Sequence, residues 1–404
     1  MKKGLIFFLL IFLQGLLYAQ IVITGKVTTS QNEPLEGASV YLNNTTIGTI
    51  TNAEGEFSLP VKKGNYDLIV SFIGFNSFQT TINDKNQKIN FHIQLTPDTT
   101  LLNEVEIKET VYDKDWKYNL QRFKQALLGR SKVADNCVIT NEKDLHFDYN
   151  ASTNTLTALA KKPLVIKNKE LGYLITYDLV NFTLTSQHLV FSGYAQYKNL
   201  RKSVSKKWEK NRRIAYNGSR MNFLRCLLNQ NLKDEGFFVN QFKRLENPNR
   251  PSEEKIKLAQ ELVKLHGNIN FSQEITIPKT PLDSALVVLK NARLPKYQDF
   301  LYKTDVPYSE MITATTTPLL SFENFLSITY TKEIEEDNFL KGRFGQRKKQ
   351  SGVQTSSIVL LDGPVEIYTT GIVSNPTSVF NEGYWAFKAL ANMLPLDYSP
   401  LKKE

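Results

Sequence analysis

The chain has 404 residues, 41% of them apolar, and 50 basic against 40 acidic side chains for a formal charge of +10. Its length gives room for roughly two or three domains with real cores, and its apolar share excludes a disordered polymer. The charge is uneven: residues 20–98 carry 5 basic and 7 acidic groups, so the excess of cations lies in residues 99–404.

Residues 1–19 have the layout of an export signal, with Lys2 and Lys3 before an apolar run from Leu5 to Leu17 and Ala19 ahead of Gln20. That run is shorter than the about 20 residues a membrane span takes, and no later stretch reaches that length. A lipoprotein would need a cysteine at the cut, whereas the two cysteines are Cys137 and Cys226. The expected location is the periplasm or the periphery of the outer membrane of a Gram-negative bacterium, with no transmembrane span after cleavage.

From residue 20 to 97 turn signals recur about every ten residues, as an antiparallel sandwich requires: Gln31-Asn32-Glu33-Pro34, Asn43-Asn44, Asn52-Ala53-Glu54-Gly55, Lys62-Lys63-Gly64 and Asn83-Asp84-Lys85-Asn86. The stretches between them alternate, with Ile89, Phe91, Ile93 and Leu95 on one face. Gly37, Gly55 and Gly74 sit where a tight turn or close approach excludes a Cβ. The runs Ile23-Thr24-Gly25-Lys26-Val27, Pro34 to Tyr41, Thr51 to Phe57 and Tyr66 to Phe75 resemble the carboxypeptidase regulatory-like domain, a transthyretin- or immunoglobulin-like sandwich. The resemblance implies a small all-β module that is not itself catalytic.

Residues 98–112 read as a linker. Within it Leu101-Leu102-Asn103-Glu104-Val105-Glu106-Ile107 is similar to the segment behind the same domain in TonB-dependent outer-membrane receptors. A plug and barrel would need many hundreds of further residues, so a receptor is not expected.

Residues 113–404 read as an α+β domain. Trp116, Leu120, Phe123 and Leu127 recur at helical spacing before Gly129. Leu145–Tyr149, Leu156–Ala160, Leu164–Ile166, Leu171–Leu184 and His188–Tyr197 then predict one meandering antiparallel sheet. Its expected covers are a helix over 219–231, capped by Ser219 with Phe223, Leu224, Leu227 and Leu228 inward, and a helix opening at Ser252. Strands return near Phe325–Tyr330 and Ser356–Tyr368. The stretches Leu171-Gly172-Tyr173, Tyr216-Asn217-Gly218-Ser219, Phe223-Leu224-Arg225, Gly236-Phe237, Gly383-Tyr384-Trp385 and Leu394-Pro395-Leu396-Asp397-Tyr398 resemble a group of envelope proteins that start with the regulatory-like domain. The group brings no established activity with it.

Chemistry is sparse. His92, His146, His188 and His266 open no metal-ligand pattern, so neither zinc nor any other cofactor is expected. His146 and Asp148 share a strand face near His188, a weak metal constellation against the plainer reading of solvent-facing polar groups. No Gly-x-Ser-x-Gly elbow occurs. In an oxidising compartment Cys137 and Cys226 could pair, contributing about 4 kcal/mol in the chain-entropy model. Cys226 also falls on the apolar side of its helix, which suits a buried free thiol.

The densest cationic run is Arg201, Lys202, Lys206, Lys207, Lys210, Arg212 and Arg213, around Trp208 and Glu209. Aromatic and basic groups together suit nucleic-acid stacking, but an exported chain meets lipid head groups, glycans and acidic proteins instead. The plain alternative is a solvated loop. These features favour a non-catalytic envelope protein, with a sandwich as interaction or spacer module and a basic domain that binds a partner protein, lipid or glycan surface. A carrier of an apolar ligand such as lipid is one alternative, and a hydrolase of envelope polymers is another.

Overall fold

The computed structural model describes residues 21–400 apart from 63, 84–89, 99–109, 187, 267–276 and 341–351. The expected signal over 1–19, Ile89, the turn at 84–86 and the segment 101–107 lie outside the described residues.

Seven strands build the sandwich: β1 (Ile21–Thr29), β2 (Ser39–Leu42), β3 (Gly48–Ile50), β4 (Glu56–Val61), β5 (Tyr66–Ser71), β6 (Phe78–Ile82) and β7 (Asn90–Leu95). They form two sheets, β4-β1-β7 and β3-β2-β5-β6. Alternation decides which side faces in. Phe57, Leu59 and Val61 of β4 are buried while Glu56, Ser58 and Pro60 face out, and β7 repeats the pattern with Phe91, Ile93 and Leu95. Each such apolar side chain contributes about 1.5–3 kcal/mol of transfer free energy. At Gly55 φ is +75°, and a Cβ would lie 2.4 Å from the Val27 carbonyl oxygen, so both backbone and space demand glycine.

The next unit opens with α1 (Lys114–Leu127) and α2 (Lys132–Asp135). Asp113 caps α1 by accepting from the Trp116 N–H at 2.8 Å. Gly129 ends it at φ +92°, pressed against the backbone of Phe387 and Lys388. Strands β8 (Cys137–Ile139), β9 (Leu145–Asn150), β10 (Thr155–Ala160), β11 (Leu164–Asn168), β12 (Tyr173–Leu184) and β13 (Leu189–Asn199) form the expected antiparallel sheet, ordered β8-β11-β12-β10-β9 with β13 on β12. Leu171, Tyr173, Ile175 and Tyr177 are all buried. A bulge at Leu179/Asn181 leaves Val180 outside the pairing.

The chain continues through α3 (Lys206–Tyr216), α4 (Arg220–Leu228), β14 (Phe237–Glu246), α5 (Glu253–Leu265), α6 (Pro281–Asn291), β15 (Tyr297–Lys303), β16 (Ile312–Thr313), β17 (Leu319–Leu320), β18 (Phe325–Ile334), α7 (Asp337–Leu340), β19 (Val353–Leu360), β20 (Val365–Tyr368), β21 (Ile372–Val373), β22 (Val379–Gly383) and α8 (Tyr384–Lys388). A second antiparallel sheet runs β15-β14-β18-β19-β22, with a small sheet β16-β17-β20-β21 beside it.

The covers differ from expectation. Ser219 and Ser252 are the helix caps, yet neither helix covers the first sheet. Phe223, Leu224 and Leu227 of α4 enter a separate core with Phe237 and Ile328, because β14 comes after α4 and a short turn and offers Phe237 and Val239 to that stripe. The first sheet is covered instead by Leu120, Phe123 and Leu127 of α1 and by Leu390 and Leu394 near the C-terminus.

The sandwich is docked on this unit. In the turn after β2, the Asn44 N–H donates to the Ala195 carbonyl (2.7 Å), and the Tyr197 N–H donates to the Thr45 carbonyl (2.9 Å). The Leu396 N–H donates to the Asn44 carbonyl at 2.7 Å, and the Thr46 N–H donates to Asp397 Oδ1 at 2.8 Å. Asn44 holds φ +58°, a left-handed value that asparagine tolerates. Farther along the seam, the Ser77 hydroxyl donates to Asp178 (2.9 Å) and the Tyr194 hydroxyl to Gln79 (2.7 Å).

Candidate functional site

The cationic run resolves into two populations. Ser205 caps α3, and the helix lays Trp208, Asn211, Arg212 and Ala215 against the turn that leads into β12. The Trp208 indole N–H donates to the Lys169 carbonyl at 2.9 Å, and its ring fills the space a Cβ on Gly172 would need. Arg212 is buried: Nε donates to the Leu171 carbonyl (2.8 Å), while Nη2 donates to the Gly172 carbonyl (3.3 Å) and to Asn199 Oδ1 (2.8 Å). Its guanidinium lies 3.8 Å from the centre of the Tyr173 ring. Arg212 therefore leaves the candidate surface, since its planar fork is committed to three acceptors inside the fold. Trp208 likewise is not a free stacking platform.

The exposed remainder is Arg201, Lys202, Lys206, Lys207, Lys210 and Arg213. Lys207 is neutralised by Glu170 at 3.1 Å. Lys206, Lys210 and Arg213 recur at i, i+4 and i+7 along one side of α3, and Arg201 reaches the Trp208 ring at 5.9 Å.

The remaining motif residues meet in the interior. Arg225 donates to the carbonyls of Thr370, Tyr398 and Leu396 at 2.8–3.0 Å, tying α4 to the C-terminal segment that holds the sandwich. The Trp385 indole donates to the Gly218 carbonyl at 2.7 Å. Asn217 and Gln354 both donate to the Glu333 carboxylate at 3.2 Å. Lys388 is buried nearby, its ammonium 4.8 Å from the centre of the Tyr384 ring. Burial pushes the Glu333 carboxyl up, against the bonds from Asn217 and Gln354, and pulls the Lys388 amine down, against Glu333 and Glu336. Sequence reading missed this hub. Its one signal was a lone lysine inside the apolar run Trp385-Ala386-Phe387-Lys388-Ala389-Leu390.

The metal constellation does not assemble. β9, which carries His146 and Asp148, is separated from β13, which begins just after His188, by β10 and β12. Among the described residues no three His, Cys, Asp or Glu side chains group to hold a metal ion. His92 lines a polar cleft of about 850 Å3 on the outer face of the β4-β1-β7 sheet, with Thr24, Lys26, Glu56, Ser58 and Asn90. Cys137 and Cys226 are free thiols, each buried in a different core, so they do not form the disulfide that export would allow. Aromatics of the first sheet are packed rather than open: Phe182 meets Phe123 of α1 at 4.7 Å and Tyr173 meets Tyr197 at 5.6 Å.

Residues 23–107 match the CarboxypepD_reg-like domain. The TonB-dependent receptor SusC of Bacteroides thetaiotaomicron is 34% identical over 115 residues, 26% of this chain, and the chain spans 11% of that receptor's length. Among solved structures, a DUF3823 family protein from Bacteroides ovatus aligns at 11% identity over 46% of this chain and 83% of its own, with a TM-score of 0.16. A putative membrane-associated protein of unknown function from Bacteroides fragilis aligns at 9% identity over 86% and 92%, also at 0.16. Scores of that size carry no argument about fold or function.

Proposed function

We propose that this is a non-catalytic protein of the Gram-negative cell envelope, exported by residues 1–19, whose sandwich serves as a fixed support and whose α3 face binds an anionic surface. The regulatory-like domain and the similarity over 115 residues to SusC support the envelope assignment. The observation that carries the binding role is the band Arg201, Lys202, Lys206, Lys210 and Arg213. All five stay exposed after Arg212 is withdrawn into the fold and Lys207 is paired, with Glu209 as the carboxylate among them.

Neutralising Lys202, Lys206, Lys210 and Arg213 to glutamine tests this. Each cation near an anionic membrane is worth about 1 kcal/mol, and the attraction is screened over about 8 Å at physiological ionic strength. Binding of the parent to envelope vesicles should fall steeply with salt, and the quadruple variant should lose most of it. Equal binding of variant and parent at low salt overturns the assignment.

A further inference from the structure

The second antiparallel sheet ends on a strand with a free edge. β15 pairs only with β14, and among the described residues no backbone group along its outer edge has a hydrogen-bond partner. The ladder also outruns the sheet: β14 leaves β18 at Phe242, while Lys243 to Glu246 go on pairing with Phe300 to Tyr297. What protrudes is a two-stranded ribbon, an arrangement that is marginal on its own in water.

Both faces of the ribbon carry apolar groups. By register, Phe300 and Leu245 project from one face and Tyr297 and Leu301 from the other, and all four are exposed, Phe300 by 48% and Leu301 by 59%. Free edges are normally blunted by proline or by charge. β15 has no proline, and its one lysine, Lys303, closes the strand in a pair with Glu310. A bulge leaves Tyr302 outside the inner ladder, with its ring 5.3 Å from the Lys243 ammonium. Asp299, the single ionic group from Tyr297 to Tyr302, is neutralised by Arg244 at 2.7 and 2.8 Å. The edge therefore meets a copy of itself without charge repulsion along the strand. An antiparallel pairing about a two-fold axis at Phe300 sets Phe300 against Phe300, Leu301 against Asp299 of the second copy, and Tyr302 against its Gln298.

We propose that β15 is the interface of a symmetric dimer, in which the five-stranded sheets of two copies join edge to edge. Main-chain hydrogen bonds along the edge supply the affinity, and the side chains on the two faces supply the register. The two-fold contact occupies both free edges at once, so the assembly closes at two copies. It uses none of the α3 residues and stands whether or not that face binds an anionic surface.

Sedimentation equilibrium of the full-length mature protein tests this at concentrations up to about 200 µM, since an edge contact of this size belongs with the weaker interfaces. The parent should dimerise. Phe300→Lys and Phe300→Glu each remove the aromatic pair and set like charges opposite one another on the axis, so each variant alone should dimerise about tenfold or more weakly. An equimolar mixture of the two should restore the dimer, more strongly at low salt. Phe300 is exposed, so both variants should keep the melting curve of the dilute parent. A parent that stays monomeric throughout overturns the dimer and leaves the edge to a strand from a different protein. So does a dimer that both variants keep at the parental affinity, or a mixture that associates no better than either variant alone.

Discussion

Arg212 and Arg213 are adjacent, and one is interior while the other meets solvent. Arg212→Ala strips the Leu171 carbonyl and the Asn199 amide oxygen of their Arg212 donor and leaves the Gly172 carbonyl with the Leu200 N–H, so unfolding in urea should show a loss of about 3 kcal/mol. Arg213→Ala should stay within about 0.5 kcal/mol. Similar losses for the two would contradict the burial of Arg212. The thiols offer a second contrast. Burial pushes Cys137 and Cys226 up to about 12, with nearby Glu170 and Glu235 adding to it, so both stay protonated and unreactive at neutral pH. Iodoacetamide should modify neither in the native protein and both in guanidinium. A faster-migrating form on a non-reducing gel would instead reveal a disulfide. A helix of mixed cations does not announce which one turns inward, because two of the three acceptors that hold Arg212 lie in a turn forty residues earlier and the third, Asn199, on a strand.

At the scale of elements, the seam between the sandwich and β12–β13 decides how the parts behave. Burial raises the Asp178 carboxyl above its ordinary value, opposed by the Ser77 hydroxyl. A raised folded-state pKa means that the docked fold prefers the proton. That contribution is complete below the ordinary carboxylate value of about 4 and is lost as pH climbs through the raised value. Above that window the ionised group is a cost. Asp178→Asn should therefore match the parent in acid and melt higher at pH 7, and a gap independent of pH would refute the assignment. Asp397→Ala removes the acceptor of the Thr46 N–H and hydroxyl. Calorimetry of that variant should show the sandwich melting ahead of the rest, where the parent melts as one. The strands β4, β7 and β12 were legible because alternation is a local signal, and the caps Ser219 and Ser252 because they sit beside the helices they start. The partner of the α4 stripe was not, since Phe223 and Leu224 look the same whichever sheet they cover.

For the whole molecule, the sequence reads as sandwich, linker and α+β domain, and the first and last of these appear in the fold, the latter as two main sheets with separate cores and a small third sheet. What one-dimensional reading could not supply was the pairing of distant segments. The motifs Leu171-Gly172-Tyr173, Phe223-Leu224-Arg225 and Leu394 to Tyr398 stood out without a visible role, and their role is to bind one another, the α3 helix or the turn at 43–46. Thr46 and Asp397 are separated by 351 positions, and this sets an order in time. At about 5–20 residues per second, the sandwich emerges from the ribosome tens of seconds before the segment that clasps its turn. Until then the Asn44 carbonyl and the Thr46 N–H lack these two partners, although Ala195 and Tyr197 have already emerged to meet the turn. A chain stopped short of Leu396 would keep every strand of the sandwich and the contacts of β13 to that turn, but would leave the Asn44 carbonyl and the Thr46 N–H and hydroxyl without these partners, so Leu396 and Asp397 complete the seat of the first domain.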